Sequence, residues 1–343
     1  MQLNTRKQKI LSAVIDLYVA TGEPVGSKAI CDILDFNVSS ATVRNELSEL
    51  SEMGLLEQPH TSAGRVPSQK GYRLYIDTLM KRHPLSGEEQ RYLDSMLLPT
   101  ANDPQRLLDG VSRVLAGMSR FTAISTTPSS STAEVKGVQF VQTSRRTAMV
   151  ILMTSAGTMK SRVFHCDFDL TPEILRVFFR VLNEKLVGLP VSTITPAYIQ
   201  SLAVSLGEMS ILMSSPLMAV LEVAQDSMQA EVLLDGEMNL LFYREFEPEE
   251  VRRIMGFLSR PQEISRLLEQ KANSIRVLIG EETNQPELSG SSVIVSRYAV
   301  GGEDAGAIAI IGPTRMNYSK MISNIEYLSG SVGKILTELM DTE

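Results

Sequence analysis

The chain has 343 residues, 43% of them apolar and 21% charged, with a formal net charge of −7. That is enough for two or three domains with their own cores, and too acidic overall to coat nucleic acid or an anionic membrane without specificity. Two cysteines far apart, Cys31 and Cys166, exclude a disulfide framework and a CxxC zinc or redox pair and point to a reducing cytoplasm, while the longest plain apolar run, Ala148–Met153, cannot cross a bilayer.

The opening residues lead into an amphipathic helix and not an apolar signal segment, so no signal peptide is expected. Over Thr5–Ala20, Ile10, Leu11, Val14, Leu17 and Tyr18 share one helical face. Thr21-Gly22-Glu23-Pro24 ends it. Ser27 is expected to cap a second short helix through Leu34, with Ala29, Ile30, Ile33 and Leu34 inward. Ser39 or Ser40 caps a third, with Val43, Leu47 and Leu50 on its inner face and Gly54 as its left-handed stop. Leu55–Gln58 and Val66–Ser68 then pair as a hairpin around Pro59–Arg65. Three short helices and a hairpin make a winged helix-turn-helix.

Residues 71–120 have a helical pattern: a stripe of Tyr72, Tyr75, Ile76 and Leu79, then Glu88–Leu98 and Pro104–Met118, with His83-Pro84 a candidate hinge. Phe121 opens a strand that dissolves into a Ser/Thr/Pro loop by Ser131. Val135–Gln142, Thr147–Met153 and Thr158–His165 read as a three-strand antiparallel meander. Thr171-Pro172-Glu173 starts a helix with Ile174, Val177, Phe178, Val181 and Leu182 inward. Thr195-Pro196 starts another, and a further helix runs from about Ser215 to Ala230. Glu231–Phe242 reads as strand, Asp235-Gly236 turn, strand. Helices at Pro248–Leu258 and Pro261–Lys271 follow, then strands at Ile275–Ile279, Ser292–Val300 and Gly306–Ile311, and a last helix at Ser319–Met340. With Phe121–Thr126 this makes about six strands flanked by helices, an α+β arrangement in several domains.

The third helix carries the chemistry. With Val43, Leu47 and Leu50 inward, Ser40, Ala41, Arg44, Asn45 and Ser48 turn outward, with Thr42 in the first turn. Arginine can donate two hydrogen bonds to guanine, asparagine can pair with adenine in both directions, and small hydroxyls reach phosphates or base edges. In the wing, Arg65 and His60 would approach phosphate or the minor groove, with Thr61 and Ser62 as added donors. The bland alternative is a solvated face, with Arg44 and Glu49 merely lining it. Residues 1–83 hold 10 Lys and Arg against 9 Asp and Glu, a charge of +1, which leaves −8 on the rest. The segment best built for a polyanion is the least acidic part.

Other motifs carry less. His165-Cys166-Asp167 alternates across a strand and has no second ligand group at metal spacing, so no metal site and no cofactor are expected. The glycine-rich stretch Val300–Gly306 lacks the P-loop Lys-Ser/Thr and reads as a hairpin turn. Gly312-Pro313-Thr314-Arg315 looks like a purposeful loop, structural before anion-binding. Three scattered histidines, His60, His83 and His165, sit in no nucleophile elbow or paired-acid motif, so catalysis is not expected. Met149, Met153, Met159, Met209, Met213, Met218 and Met228 read mostly as core filling, with some at a plastic interface.

Three stretches, GEPVGSKAI, SSATVRNELSELSEMGLLEQPHTSAGRVPSQKGYRLYID and GAIAIIGPTRMNYSK, resemble the HrcA family of heat-inducible transcription repressors. The resemblance implies a winged helix-turn-helix over 1–83, a helical linker and GAF-like domain over 84–131 and 230–343, and an inserted dimerisation domain over 132–229. It implies a homodimer on double-stranded DNA carrying the inverted-repeat CIRCE operator of chaperone operons, with activity maintained by the GroE (GroEL-type) chaperonin. Ser40, Thr42, Arg44, Asn45, Ser48, His60, Thr61 and Arg65 are then the DNA-binding residues. No membrane partner and no small-molecule effector are expected. The rival readings are a ligand-responsive regulator, an enzyme with a DNA-binding head, and a structural DNA-binding protein with a steep salt dependence but no sequence preference.

Overall fold

The computed structural model describes residues 3–60, 63–128, 133–269 and 275–341. The chain opens with α1 (Thr5–Thr21), capped by Asn4, whose side-chain oxygen accepts from Lys7 N at 2.9 Å. It is stopped by Gly22 at φ 74°, a left-handed position that suits glycine. α2 (Ser27–Ile33) follows, capped by the Gly26 backbone and not by the Ser27 hydroxyl. Only Ile30 of α2 is buried; Ala29 and Ile33 face solvent, against expectation. Two turns of helix can offer only a narrow strip to the α1–α3 core.

α3 (Ser40–Glu52) is capped by Ser39 and buries Val43, Leu47 and Leu50, as its spacing predicts. β1 (Leu56–Glu57) and β2 (Val66–Pro67) pair antiparallel with Leu56 opposite Pro67. α4 (Gln69–Leu74) then runs into a wider π-helical turn over Tyr75–Leu79. These elements form the head.

The body begins with α5 (Gly87–Leu97) and α6 (Pro104–Ser119), which lead into β3 (Thr122–Thr126). Here a second unit interrupts the body. Its sheet, β4 (Val135–Gln142), β5 (Thr147–Thr154) and β6 (Met159–His165), is the expected antiparallel meander. α7 (Pro172–Leu186), α8 (Pro196–Ser205) and α9 (Met209–Ser227) complete it, and Ala148, Val150 and Leu152 of β5 are buried beneath them.

Three sequence expectations fail in this unit. Val177 is 41% exposed, because α7 turns Phe178, Leu182 and Leu186 inward. α9 starts at Met209, before Ser215, and carries Pro216 inside it. A proline there removes one helical hydrogen bond, but buried Met213 and Leu217 anchor the turns on either side. Among the seven methionines of this region only Met213 is fully buried, and Met159, Met209 and Met218 are exposed, so core filling does not account for most of them.

The chain re-enters the body through β7 (Val232–Asp235). The strand expected next is instead a 3₁₀ turn, Glu237–Phe242. Gly236, at φ 76°, swings the chain off the sheet, and Asn239 Nδ2 donates to the carbonyl of Phe121 at 3.1 Å. α10 (Pro248–Leu258), α11 (Pro261–Leu268), β8 (Arg276–Ile279), β9 (Ser291–Val300), β10 (Glu303–Pro313) and α12 (Tyr318–Asp341) follow. The body sheet therefore has five strands and not six, all antiparallel, in the order β7-β3-β10-β9-β8. Gly301 and Gly302, at φ 60° and 85°, make the tight β9–β10 turn that the glycine-rich stretch predicts.

Both faces of this sheet are covered. Ile294, Ile308 and Ile310 pack toward α6 and α12, while Val293, Val295, Ala307, Ala309 and Ile311 pack toward α10 and α11. The alternation follows the two-residue period of a strand. The first of these clusters does not stop at the body. It continues through Tyr72 to Ile10, Leu11 and Leu50 of the head. The cluster of the inserted unit lies entirely within that unit.

Polar contacts reinforce the seam between head and body. Arg315, in the loop after β10, pairs with Glu245 and donates to the carbonyl of Val19 on α1 at 3.0 Å. The Gly312–Arg315 loop is thus structural. The candidate hinge is pinned as well: Ser319 and Ser323 of α12 donate to the carbonyls of Lys81 and His83 at 2.7 and 2.6 Å.

Candidate nucleic-acid interface

Two of the three acids of α3 are drawn toward α1, while Glu52 stays exposed one turn beyond Ser48. Lys7 on α1 holds Glu46 and Glu49 at 2.8 Å each, and Arg6 adds a contact to Glu46 at 3.6 Å. The hydrogen bonds that Lys7 donates to Glu46 and then to Glu49 raise its pKa above the ordinary lysine value, so the ammonium stays charged. This arrangement buries the Glu46 carboxylate and pairs that of Glu49 at the edge of the surface that would meet a phosphate backbone. Ala41, Arg44, Asn45 and Ser48 are left exposed on the opposite side.

Not all the predicted residues stand free. The hydroxyls of Ser27 and Ser40 share a hydrogen bond of 2.8 Å, and Arg44 Nε reaches Ser27 Oγ at 3.4 Å. Arg44 is thereby steadied at the start of α2, with the far end of its guanidinium outward. Ser39 and Thr42 share a 2.9 Å hydroxyl contact, and Thr42 N donates to Ser39 Oγ. Thr42 therefore serves the helix cap. Asn45 and Ser48 make no side-chain hydrogen bond among the described residues and are open to a base edge.

The wing is braced by the stretch before α2. Val25 and Arg65 exchange backbone hydrogen bonds of 2.9 Å in both directions. Gly64 is required beside them: a Cβ there would lie 2.5 Å from the Val25 carbonyl. Gln58 Nε2 donates to the carbonyl of Ala63 at 3.1 Å, and the His60 carbonyl accepts from Ala63 N at 2.9 Å, which shapes the tip. The His60 side chain is exposed. Arg65 is half-buried, with its Nε enclosed and unpartnered, so it is less extended than a surface phosphate contact would be. Thr61 and Ser62 lie outside the described residues.

The structure thus brings Ser40, Arg44, Asn45 and Ser48 onto one side of α3 and sets Thr42 into the cap. Sequence reasoning missed Ser27 and the Lys7–Glu46 pair. Both depend on contacts between helices, and no local spacing announces them. Exposed Lys28 adds a cation on α2 beside this face.

The other motifs bring no rival site. His165 Nδ1 contacts Thr147 Oγ1 at 3.2 Å, and burial raises the Cys166 thiol pKa. No group of three His, Cys, Asp or Glu among the described residues could hold a metal. No helix among them is long and apolar enough to cross a membrane.

Comparison with known proteins gives the same picture from outside. Residues 2–79 match the family described as winged helix-turn-helix transcription repressor, HrcA DNA-binding, and residues 105–322 match HrcA protein C terminal domain. The chain is 35% identical over 345 residues to the heat-inducible transcription repressor HrcA of Acetivibrio thermocellus, covering 99% of this chain and 98% of that one. It is 34% identical to the repressor of the same name from Carboxydothermus hydrogenoformans, covering 97% and 98%. A crystal structure of a hypothetical protein shares the fold at TM-score 0.68 and 23% identity, over 98% of this chain and 100% of that one.

Proposed function

The chain belongs to the HrcA family of heat-inducible transcription repressors, and from that premise we propose that it binds an inverted-repeat CIRCE operator as a cytoplasmic homodimer and excludes RNA polymerase from chaperone promoters. The observation that carries this reading is the outward face of α3, where Arg44, Asn45 and Ser48 stand exposed while Lys7 holds Glu46 and Glu49 toward α1. Arg44 would read guanine and Asn45 adenine in the major groove, Ser48 would add a free hydroxyl, and Ser40 and Thr42, engaged with Ser27 and Ser39, would hold that face in place. His60, Thr61 and Arg65 in the wing would meet the adjoining backbone.

A two-fold operator calls for a two-fold dimer. The inserted unit supplies a suitable surface: Val204 on α8 and Ile211 on α9 are 77% and 78% exposed, and Met218 of α9 is exposed as well. Large apolar side chains left in water favour a partner. On this reading 132–229 is the dimerisation domain, 1–83 reads DNA, and 84–131 with 230–343 forms the linker and GAF-like domain between them. Two weakly basic heads would recover affinity through effective concentration, while the acidic remainder limits loose binding elsewhere.

Heat need not act through a dedicated sensor. A marginally stable dimer loses its competent fraction on warming, and a GroE-type chaperonin that refolds it would couple repression to chaperone supply. The test is a titration of purified protein against the inverted-repeat operator and a scrambled duplex of equal length, at fixed salt, with and without chaperonin. Strong operator preference, raised by chaperonin, is expected. Equal binding to both duplexes under both conditions would leave only a generic DNA-binding head.

A further inference from the structure

The head is held to the body at more than one of its own elements. On α1, the Val19 carbonyl accepts from Arg315 of the body, and the same guanidinium pairs with Glu245. It also lies against Gly22, where an added Cβ would sit 3.3 Å from it. On α4, Arg73 pairs with Glu282 and donates to the carbonyl of Val277, both in the body. The intervening space is filled by Tyr72 against Tyr318, with ring centroids 5.7 Å apart. A unit fixed at one point can pivot; one fixed on two helices with a packed ring between them cannot turn without breaking the set.

α3 takes no part in these contacts and packs on α1, α2 and β1. The body thus fixes where the recognition helix points without covering what it reads. In a dimer, that direction decides which half-site separation both heads can meet at once. Each added base pair moves a half-site by about 3.4 Å and turns it by about 35° around the DNA axis. A tethered head would follow such a change; a clasped head would not.

We infer that Arg73 and Arg315 are positioning residues that set the operator spacing the protein accepts, while the outer face of α3 sets the base sequence. This rests on the proposed two-fold operator. It assigns the choice of spacing to the seam and not to the dimer surface alone.

The experiment uses the full-length protein at fixed salt. The probes are the inverted-repeat operator with its native spacer, the same repeat with one, two or five base pairs inserted, and a native-spacer repeat with one base changed in each half-site. For the unaltered protein, one or two inserted pairs should cost at least about tenfold in affinity. For Arg73→Gln/Arg315→Gln that penalty should shrink to within about threefold, with discrimination against the changed base kept. The body-side pair Glu245→Gln/Glu282→Gln takes the carboxylate partners from both arginines at residues remote from DNA, leaves their bonds to the Val19 and Val277 carbonyls, and should flatten the profile in the same direction but less.

An unchanged spacer profile with base discrimination intact in either pair would overturn the inference. So would loss of base discrimination along with spacing in both pairs, since the clasps would then hold the fold of the head and not its direction. If the unaltered protein failed to distinguish the operator from a scrambled duplex, the repressor reading itself would fall and the inference with it.

Discussion

The head and the inserted unit are joined to the same body in opposite ways. The head shares an apolar cluster with it: Leu11 and Tyr72 belong to the same packed group as Ile310 and Leu328. The inserted unit keeps a core of its own and meets the body through a polar neck. There Lys160 pairs with Glu231, Gln105 donates to Glu231 at 3.1 Å, and Thr127 exchanges hydrogen bonds with Glu231. Apolar continuity makes two regions one cooperative unit; a polar neck between separate cores lets each open by itself. DNA reading is therefore coupled to the stability of the body, while the proposed dimer surface sits on the more independent part.

The largest effects should come from the cores themselves. Leu11 and Leu182 are both fully buried, one in each cluster, and truncating either to alanine should cost about 2–5 kcal/mol. Leu11→Ala should speed hydrogen exchange in α12 as well as α1, whereas Leu182→Ala should act within the inserted unit. Unchanged α12 exchange in Leu11→Ala would break the contrast.

A smaller effect separates reading from holding. Arg44→Ala should lose about 1–3 kcal/mol of base discrimination, measured as weaker operator binding with no change in the melting profile. A fall in melting temperature of the same size as the core substitutions would instead make Arg44 a structural residue.

The smallest effect tests the seam. Burial tends to raise the pKa of Glu282, but the hydrogen bond and charge of Arg73 and the Ile279 N–H outweigh it and hold the carboxyl below the usual carboxylate range. A depressed folded value contributes stability above the unfolded pKa and loses it as pH falls through the folded one. The stability difference between the unaltered protein and Glu282→Gln should therefore be present at neutral pH and vanish in acid. A difference that persisted unchanged to low pH would assign it to packing.

Much of this was legible where the signal is local. Thr171-Pro172 caps α7, Gly54 ends α3, and paired glycines turn β9 into β10, each because one residue type suits one backbone conformation. The inner residues of α3, spaced four and then three apart, were legible for the same reason, and with them the face that Arg44, Asn45 and Ser48 share. What failed was settled at a distance. Glu237–Phe242 has the apolar content of a strand, but Asn239 is captured by the Phe121 carbonyl more than a hundred residues earlier. Ser27 looks like a cap and instead meets Ser40 on another helix. Lys7 and Glu46 look like two solvated charges and become the contact that frees the reading face.

The loop that carries Arg315 also limits how this protein can be taken apart or recombined. A winged head is often pictured as a cassette that can be cut out or joined to a new partner. Here, excision would strip Tyr72 of Tyr318 and the Val19 carbonyl of its donor, exposing a ring that is 1% accessible in the intact chain. A working graft would have to bring the loop after β10 and the start of α12 with it, although they lie more than two hundred residues away in the chain. A substitution around Val19 or Tyr72 is thus read against the residues around Arg315 and Tyr318.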